Sequence, residues 1–209
     1  MHVLVMAKAP VPGRVKTRLC PPCDPVEAAE LAEAALADTC DAVARSGAPR
    51  RVVALDGEPG DWLPPGFEVV LQRGRSLDER LANAWGDTGG PGVQIGMDTP
   101  QVTPAALDEA LDVLAAGRGT AAFGPALDGG WWAIGLERPD PRVFVGVPMS
   151  TPGTGAAQRR RLRTLGHRVV ELPSLRDVDR IGDALVVAGE APGSRFAGAM
   201  ARLGVASVA

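Results

Sequence analysis

Short apolar runs alternate with longer helical segments along the whole chain. Runs such as Val3-Leu4-Val5-Met6 are typical of buried strands, whereas the segments between them repeat their apolar residues with helical spacing. The predicted strands cover residues 2–7, 51–55, 67–71, 93–97, 120–123, 131–136 and 167–172. The predicted helices cover 24–46, 76–86, 103–116, 154–165 and stretches after residue 177. This alternation is typical of an α/β protein, so we predict a mostly parallel central sheet flanked by helices.

The chain has 209 residues, enough for one hydrophobic core, and contains neither an internal repeat nor a linker. We therefore predict a single domain over residues 1–209. The net charge of −3 argues against a broad nucleic-acid-binding face, which normally requires a basic domain. No apolar run approaches the roughly 20 residues that span a bilayer, and no signal-peptide cleavage pattern is evident. We expect a cytoplasmic protein without a nucleic-acid or membrane partner, in an oligomeric state that the sequence leaves open.

The loop after the first predicted strand concentrates positive charge. It contains no acidic residue before Asp24 but carries four cations: Lys8, Arg14, Lys16 and Arg18. Arginine binds phosphate oxygens through paired N–H groups and lysine as a point charge, and Gly13 permits close backbone approach. Ligands of parallel sheets bind at the carboxyl ends of the strands. The loop is therefore predicted to bind a diphosphate or triphosphate; a solvated charged loop is the alternative.

Acidic residues follow other predicted strands. Asp98 ends the apolar run 93–97, and a hard ion such as Mg²⁺ binds one or two carboxylates together with phosphate oxygens. Asp98 is thus a candidate metal ligand, or else it caps the turn before Pro100. Asp177 and Asp179 straddle Val178, so they point the same way in an extended segment. One of them could join Asp98 on a metal, and the other could cap the following helix.

The segment Asp128-Gly129-Gly130-Trp131-Trp132 precedes and begins a predicted strand. Its two glycines allow tight backbone access. Adjacent strand residues point to opposite faces of a sheet, so only one tryptophan can lie in the core. The other can form a wall for a sugar ring or a base.

Taken in order, these motifs resemble those of DUF2064, a family of small glycosyltransferases with the GT-A (nucleotide-diphospho-sugar transferase, Rossmann-like) fold. The resemblance covers roughly residues 3 to 185. It rests on Ala7-Lys8-Ala9-Pro10, Gly13-Arg14-Val15-Lys16-Thr17-Arg18-Leu19, Gly96-Met97-Asp98-Thr99-Pro100, Gly124-Pro125-Ala126-Leu127-Asp128-Gly129-Gly130, Ser150-Thr151 and Asp177-Val178-Asp179. The sequence departs from the family at Met97, Trp131-Trp132, Met149 and the run after Asp179.

The resemblance implies roles for individual residues. Asp98 and Asp179 would bind Mg²⁺ or Mn²⁺, and Asp98, Asp128 and Lys16 would act in catalysis. The donor nucleotide would contact Ala7, Lys8, Gly13, Arg14, Lys16, Arg18, Gly129, Gly130 and Trp131.

Three functions follow as hypotheses. The first is a metal-dependent glycosyltransferase that uses a nucleotide sugar and a small-molecule acceptor. The second is a nucleotidyltransferase that condenses a nucleoside triphosphate with a small phosphorylated substrate and releases pyrophosphate. The third is a nucleotide-binding module without catalytic activity.

Overall fold

The computed structural model describes residues 1–117 and 119–204, so Arg118 and residues 205–209 of the predicted domain lie outside the described residues. The strands are β1 (His2–Lys8), β2 (Arg50–Asp56), β3 (Glu68–Leu71), β4 (Gly92–Gly96), β5 (Thr120–Pro125), β6 (Trp131–Leu136) and β7 (Arg168–Glu171). The helices are α1 (Pro25–Arg45), α2 (Leu77–Thr88), α3 (Pro104–Ala115), α4 (Thr154–Thr164), α5 (Ile181–Glu190) and α6 (Arg195–Arg202).

All seven strands form one sheet in the order β3-β2-β1-β4-β6-β5-β7. Strand β6 runs antiparallel to β4 and β5, and the other neighbours are parallel. This architecture confirms the predicted α/β fold class with its mostly parallel sheet. Because β1 lies between β2 and β4, the loop that leaves β1 emerges at the middle of the carboxyl edge.

Alternating side chains of the strands build two cores. Val3 and Val5 of β1 face the apolar sides of α1 and α3, whereas Leu4 and Met6 face α2. The helices α5 and α6 pack outside α1 in a third cluster around Phe196. This layering leaves the carboxyl edge of the sheet uncovered near β1 and β4. None of the described helices is long and apolar enough to span a bilayer.

Two predicted helix starts have different outcomes. Asp24 caps α1 as its spacing indicates, because its carboxylate accepts the N–H groups of Val26 and Glu27. The spacing of Ser76 and Glu79 predicts a capping box at the start of α2, and this prediction is wrong. Ser76 makes no capping bond, and Glu79 accepts the backbone N–H of Arg75 instead.

Candidate functional site

A cleft of 770 Å³ opens along the carboxyl edge of the sheet. It runs past the ends of β1, β2 and β4, which are parallel and therefore finish at the same edge. Strand β6 runs the opposite way, so its first residue, Trp131, also lies there. The cleft thus gathers residues that are far apart in sequence.

Lys16 links the basic loop to the centre of the cleft. Its ammonium Nζ lies 2.6 Å from the Asp98 carboxylate and also donates to the carbonyl oxygen of Val178. Only 9% of the Lys16 side chain is exposed. The backbone N–H of Val178 donates in turn to the Asp98 carbonyl at 2.8 Å. The predicted proximity of the basic loop and Asp98 is therefore present.

Arg18 extends this cluster toward the solvent. Its guanidinium lies 2.7 Å from the Asp179 carboxylate. Both side chains are well exposed, so the pair adds little to stability. The ion pair does, however, hold the Asp179 side chain next to the basic loop.

Asp177 is the most perturbed ionisable group of the cleft. Burial, followed by the negative charges of Asp98 and Asp128, raises the pKa of Asp177 to about 8. One carboxylate oxygen, Oδ1, is buried and has no hydrogen-bond partner in the described part of the chain. The spacing of the two aspartates left the choice of metal ligand open and the family resemblance implied Asp179, whereas Asp177 is the one left without an ion pair among the described residues.

The acidic cluster therefore holds more carboxyl groups than cationic partners. Lys16 and Arg18 pair with Asp98 and Asp179, which leaves Asp128 and Asp177 without an ion pair among the described residues. A divalent cation would offset this surplus, and carboxylate oxygens are the ligands that Mg²⁺ and Mn²⁺ prefer. Residues 1–117 and 119–204 contain no ready group of three metal ligands. The donor set fits an ion that takes its remaining ligands from phosphate and water.

The glycine pair beside Asp128 has a structural explanation. Asp128 accepts the N–H of Gly130 at 2.7 Å and closes the turn. Gly129 has a φ of +93°, and a Cβ there would overlap the carbonyl oxygen of Pro152. The Gly129 carbonyl also accepts the N–H of Gly155, at 2.8 Å. The glycines thus let the β5–β6 turn pack against the start of α4.

The two tryptophans separate as predicted. Trp132 is 2% exposed, lies in the core and donates from its indole to the carbonyl of Pro173. Trp131 lines the cleft.

The remaining predicted phosphate contacts divide into two groups. Ala7 and Lys8 line the cleft, and the Lys8 ammonium lies 3.9 Å from Asp56. Gly13 and Arg14 are exposed at the tip of the loop and are not among the described lining residues. Lys8 and Arg18 thus line the cleft, Lys16 reaches it through its contact with Asp98, and Arg14 lies outside it.

Sequence reasoning missed three cleft residues at the β2 side. Asp56 ends β2, Gln72 follows β3, and Arg80 lies in the first turns of α2, 3.5 Å from Asp56. The rule that ligands bind at strand ends applies to Asp56 and Gln72, and could have identified them.

Solved structures of other proteins share this architecture. A protein of Desulfovibrio desulfuricans G20, described as a candidate nucleotide-diphospho-sugar transferase, superposes with a TM-score of 0.84 at 27% identity, over 96% of this chain and 94% of that one. Rv0371c of Mycobacterium tuberculosis, solved with manganese, gives a TM-score of 0.53 at 22% identity, over 89% and 97%. A CMP-2-keto-3-deoxy-manno-octonic acid synthetase solved with CTP gives 0.56 at 14%, over 91% and 98%. Nucleotide-dependent transferases are thus the chain's structural neighbours.

Comparisons by sequence cover less of the chain than the structural comparisons do. No curated protein matches the chain. The model of the family described as "Uncharacterized protein conserved in bacteria (DUF2064)" matches residues 30–151, which include Asp98, Asp128 and Trp131. Because this match extends over more than half of the 209 residues, the chain belongs to the DUF2064 family.

Proposed function

We propose that the protein is a divalent-metal-dependent glycosyltransferase that uses a nucleotide-diphosphate sugar and a small-molecule acceptor. The observation that carries this proposal is the convergence of Lys16, Asp98 and Asp177 at the carboxyl edge of the sheet. It combines cations for a diphosphate with surplus carboxylates for a metal ion. Mg²⁺ or Mn²⁺ bound there would neutralise charge on the diphosphate.

The chain's own residues supply the other functions. Asp98 would hold the metal ion together with Asp177 or Asp179. Lys16 and Arg18 bind diphosphate oxygens and stabilise the charge that develops on the leaving group. Asp128, whose Oδ2 is not used in the turn, accepts the proton of the attacking hydroxyl.

The structural neighbours support a nucleotide-dependent transferase. The neighbour at 27% identity is described as a candidate nucleotide-diphospho-sugar transferase, and two more distant ones were solved with manganese and with CTP. These descriptions are consistent with a nucleotide and a divalent ion in this cleft.

A nucleotidyltransferase is the second candidate, and one observation favours it. Lys8 and Arg80 lie near Asp56 and are two further cations in addition to Lys16 and Arg18. A triphosphate requires more neutralisation than a diphosphate, so this longer row of cations also suits a nucleoside triphosphate.

One assay distinguishes the two functions. The protein is incubated with Mg²⁺ or Mn²⁺ and either a panel of nucleotide sugars or nucleoside triphosphates with sugar phosphates. Release of a nucleoside diphosphate is expected from the first set, whereas pyrophosphate release from the second would identify a nucleotidyltransferase.

The metal site is tested with Asp98→Asn, which is expected to lower turnover by at least about a hundredfold. The matched control is Asp112→Asn, because Asp112 is exposed on α3 away from the cleft. Full activity of Asp98→Asn would rule out the proposed metal site.

A further inference from the structure

The part of the cleft that is lined by α2, β6 and the loop before α4 differs in character from the cluster around Lys16 and Asp98. Its wall consists of Leu77, Leu81, Trp131 and Met149, with Ser150 at the rim. Leu77 is 45% exposed, whereas Leu81 is buried beneath it in the core cluster against which Trp131 and Met149 also pack. An apolar wall open to a cleft is typical of a ligand site.

Trp131 is held in place but keeps its polar atom free. Its ring packs against Phe144, with centroids 6.1 Å apart, and Phe144 packs in turn on Trp85 at 6.0 Å. The indole N–H groups of Trp85 and Trp132 donate to the backbone carbonyls of Gly90 and Pro173. That of Trp131 has no partner within the described residues. Trp131 thus offers an aromatic face and one hydrogen-bond donor.

Ser150 adds a neutral polar group to this half. Its φ of +57° lies in the left-handed region, which among the described non-glycine residues only Lys16 shares. Such strain is typical of functional sites. The loop is pinned by Thr154, whose hydroxyl donates to the Pro148 carbonyl and accepts from the N–H of Thr151. The exposed Ser150 side chain is therefore presented at the rim of the cleft.

The four wall residues are themselves uncharged. Of the four cations that line the cleft among the described residues, Lys8 and Arg80 approach Asp56, at 3.9 and 3.5 Å, and Arg18 approaches Asp179, while Arg180 follows Asp179 at the start of α5. The opposite half, near β2 and β3, is polar instead. There Gln72 donates its amide N–H groups to the carbonyls of Ala7 and Ala54, which leaves its Oε1 as an oriented acceptor. Such acceptors suit the donor groups of a nucleoside.

We propose that the wall formed by Leu77, Leu81, Trp131 and Met149 binds the acceptor, and that the acceptor is an uncharged, hydroxylated ring compound without phosphate or carboxylate. The apolar face of such a ring packs on Trp131, and its hydroxyl groups reach the indole N–H and Ser150. This inference rests on the proposed glycosyl transfer and names the acceptor class for it.

The position of Asp128 agrees with this assignment. Asp128 lies three residues before Trp131, in the turn that leads into β6. An acceptor hydroxyl there attacks the anomeric carbon of the donor sugar. The bond from that carbon to the diphosphate oxygen breaks with its electron pair, a new carbon–oxygen bond forms, and the hydroxyl proton passes to the Asp128 carboxylate.

The test compares uncharged and charged ring compounds. Methyl β-glucoside and glucose 6-phosphate are titrated against the protein in Mg²⁺ and nucleoside diphosphate, with isothermal titration calorimetry as the binding measurement and tryptophan fluorescence as a second signal. We expect the glucoside to bind at least about tenfold more tightly than the phosphate. Trp131→Ala should weaken glucoside binding about tenfold, and Trp131→Phe should restore most of it but lose the fluorescence response. Leu127→Ala, an exposed apolar residue of the same turn, is the matched control.

The possible outcomes separate this inference from the proposed function. Preference for glucose 6-phosphate would overturn the uncharged acceptor. Weaker nucleoside diphosphate binding in Trp131→Ala, measured by thermal shift, would instead assign the wall to the nucleoside and overturn the inference. Glucoside binding that depends on Trp131, without turnover of any nucleotide sugar, would support the subsite but contradict glycosyl transfer.

Discussion

Asp177 shows how a single side chain can serve a site at the expense of stability. Its carboxyl group is buried beside the charges of Asp98 and Asp128, and one of its oxygens lacks a partner among the described atoms. Such an arrangement is unfavourable unless a ligand compensates for it. Buried ionisable groups with a shifted pKa cluster at functional sites, where ligand binding requires charged groups that would destabilise the fold by themselves.

The raised pKa of Asp177 predicts a pH-dependent stability. The folded protein keeps this proton up to about pH 8, whereas the unfolded chain releases it near the ordinary value of 3.8. The free energy of unfolding should therefore fall as pH rises from about 4 to 8, by about 1.4 kcal/mol per pKa unit at most. Asp177→Asn should remove this slope and be more stable than the parent at pH 8.

Urea unfolding at several pH values, with a chelator present, measures this effect. Asp179→Asn is the matched control, because Asp179 already has a cationic partner in Arg18. Parallel pH profiles of the parent protein and Asp177→Asn would contradict the prediction.

At the scale of elements, the contact between the β5–β6 turn and α4 shapes the acceptor side of the cleft. Gly129 allows this contact, since any side chain there would meet the Pro152 carbonyl. The turn also carries Asp128 and leads into Trp131. A substitution of Gly129 is therefore expected to displace both Asp128 and Trp131.

Gly129→Ala is predicted to destabilise the protein more than its backbone conformation alone explains. Gly166 is the matched control, because it also has a positive φ, of +86°, but nothing lies within 4 Å of the position that a Cβ would take there. Gly166→Ala should cost about 1 kcal/mol from the left-handed backbone, and Gly129→Ala about 1–3 kcal/mol more from the overlap. Thermal unfolding of the two variants measures the difference, and equal losses would show that the turn can move away from α4.

His2 connects β1 to α2 at the opposite edge of the sheet. It is 1% exposed, and its ring meets that of Trp85 edge-on with centroids 5.9 Å apart. Burial, followed by the charge of Arg50, lowers its pKa to about 4. Between about pH 6.5 and 4 the unfolded chain therefore binds a proton that the folded protein does not bind.

The stability that depends on neutral His2 is present above about pH 6.5 and is lost as pH falls toward 4, by about 3 kcal/mol. His2→Phe keeps an aromatic ring against Trp85 and should flatten this part of the profile. Denaturant unfolding at pH 4.5 and 7 checks the prediction, and an unchanged slope in His2→Phe would assign the acid sensitivity to other groups.

For the whole molecule, the sequence predicted the fold more completely than the site. Helix and strand patterns are local, so α1 and β6 begin within a residue or two of their expected positions. The proximity of Lys16 and Asp98 followed from the rule for strand ends. The choice between Asp177 and Asp179 depends on how an irregular segment packs, and the capping of α2 depends on whether Glu79 binds the N–H of Ser76 or that of Arg75. Neither is encoded in local spacing.

The pairing of Lys16 with Asp98 and of Arg18 with Asp179 also determines how substrate enters. The cations and carboxylates of the cleft already pair with each other. A diphosphate that binds Lys16 and Arg18 therefore has to displace the carboxylates of Asp98 and Asp179, and a metal ion that binds these carboxylates has to displace the two cations. Binding of the diphosphate frees the carboxylates for the metal ion, and binding of the metal ion frees the cations for the diphosphate. Nucleotide and ion should consequently enter as a couple, each increasing the affinity of the protein for the other by the same factor.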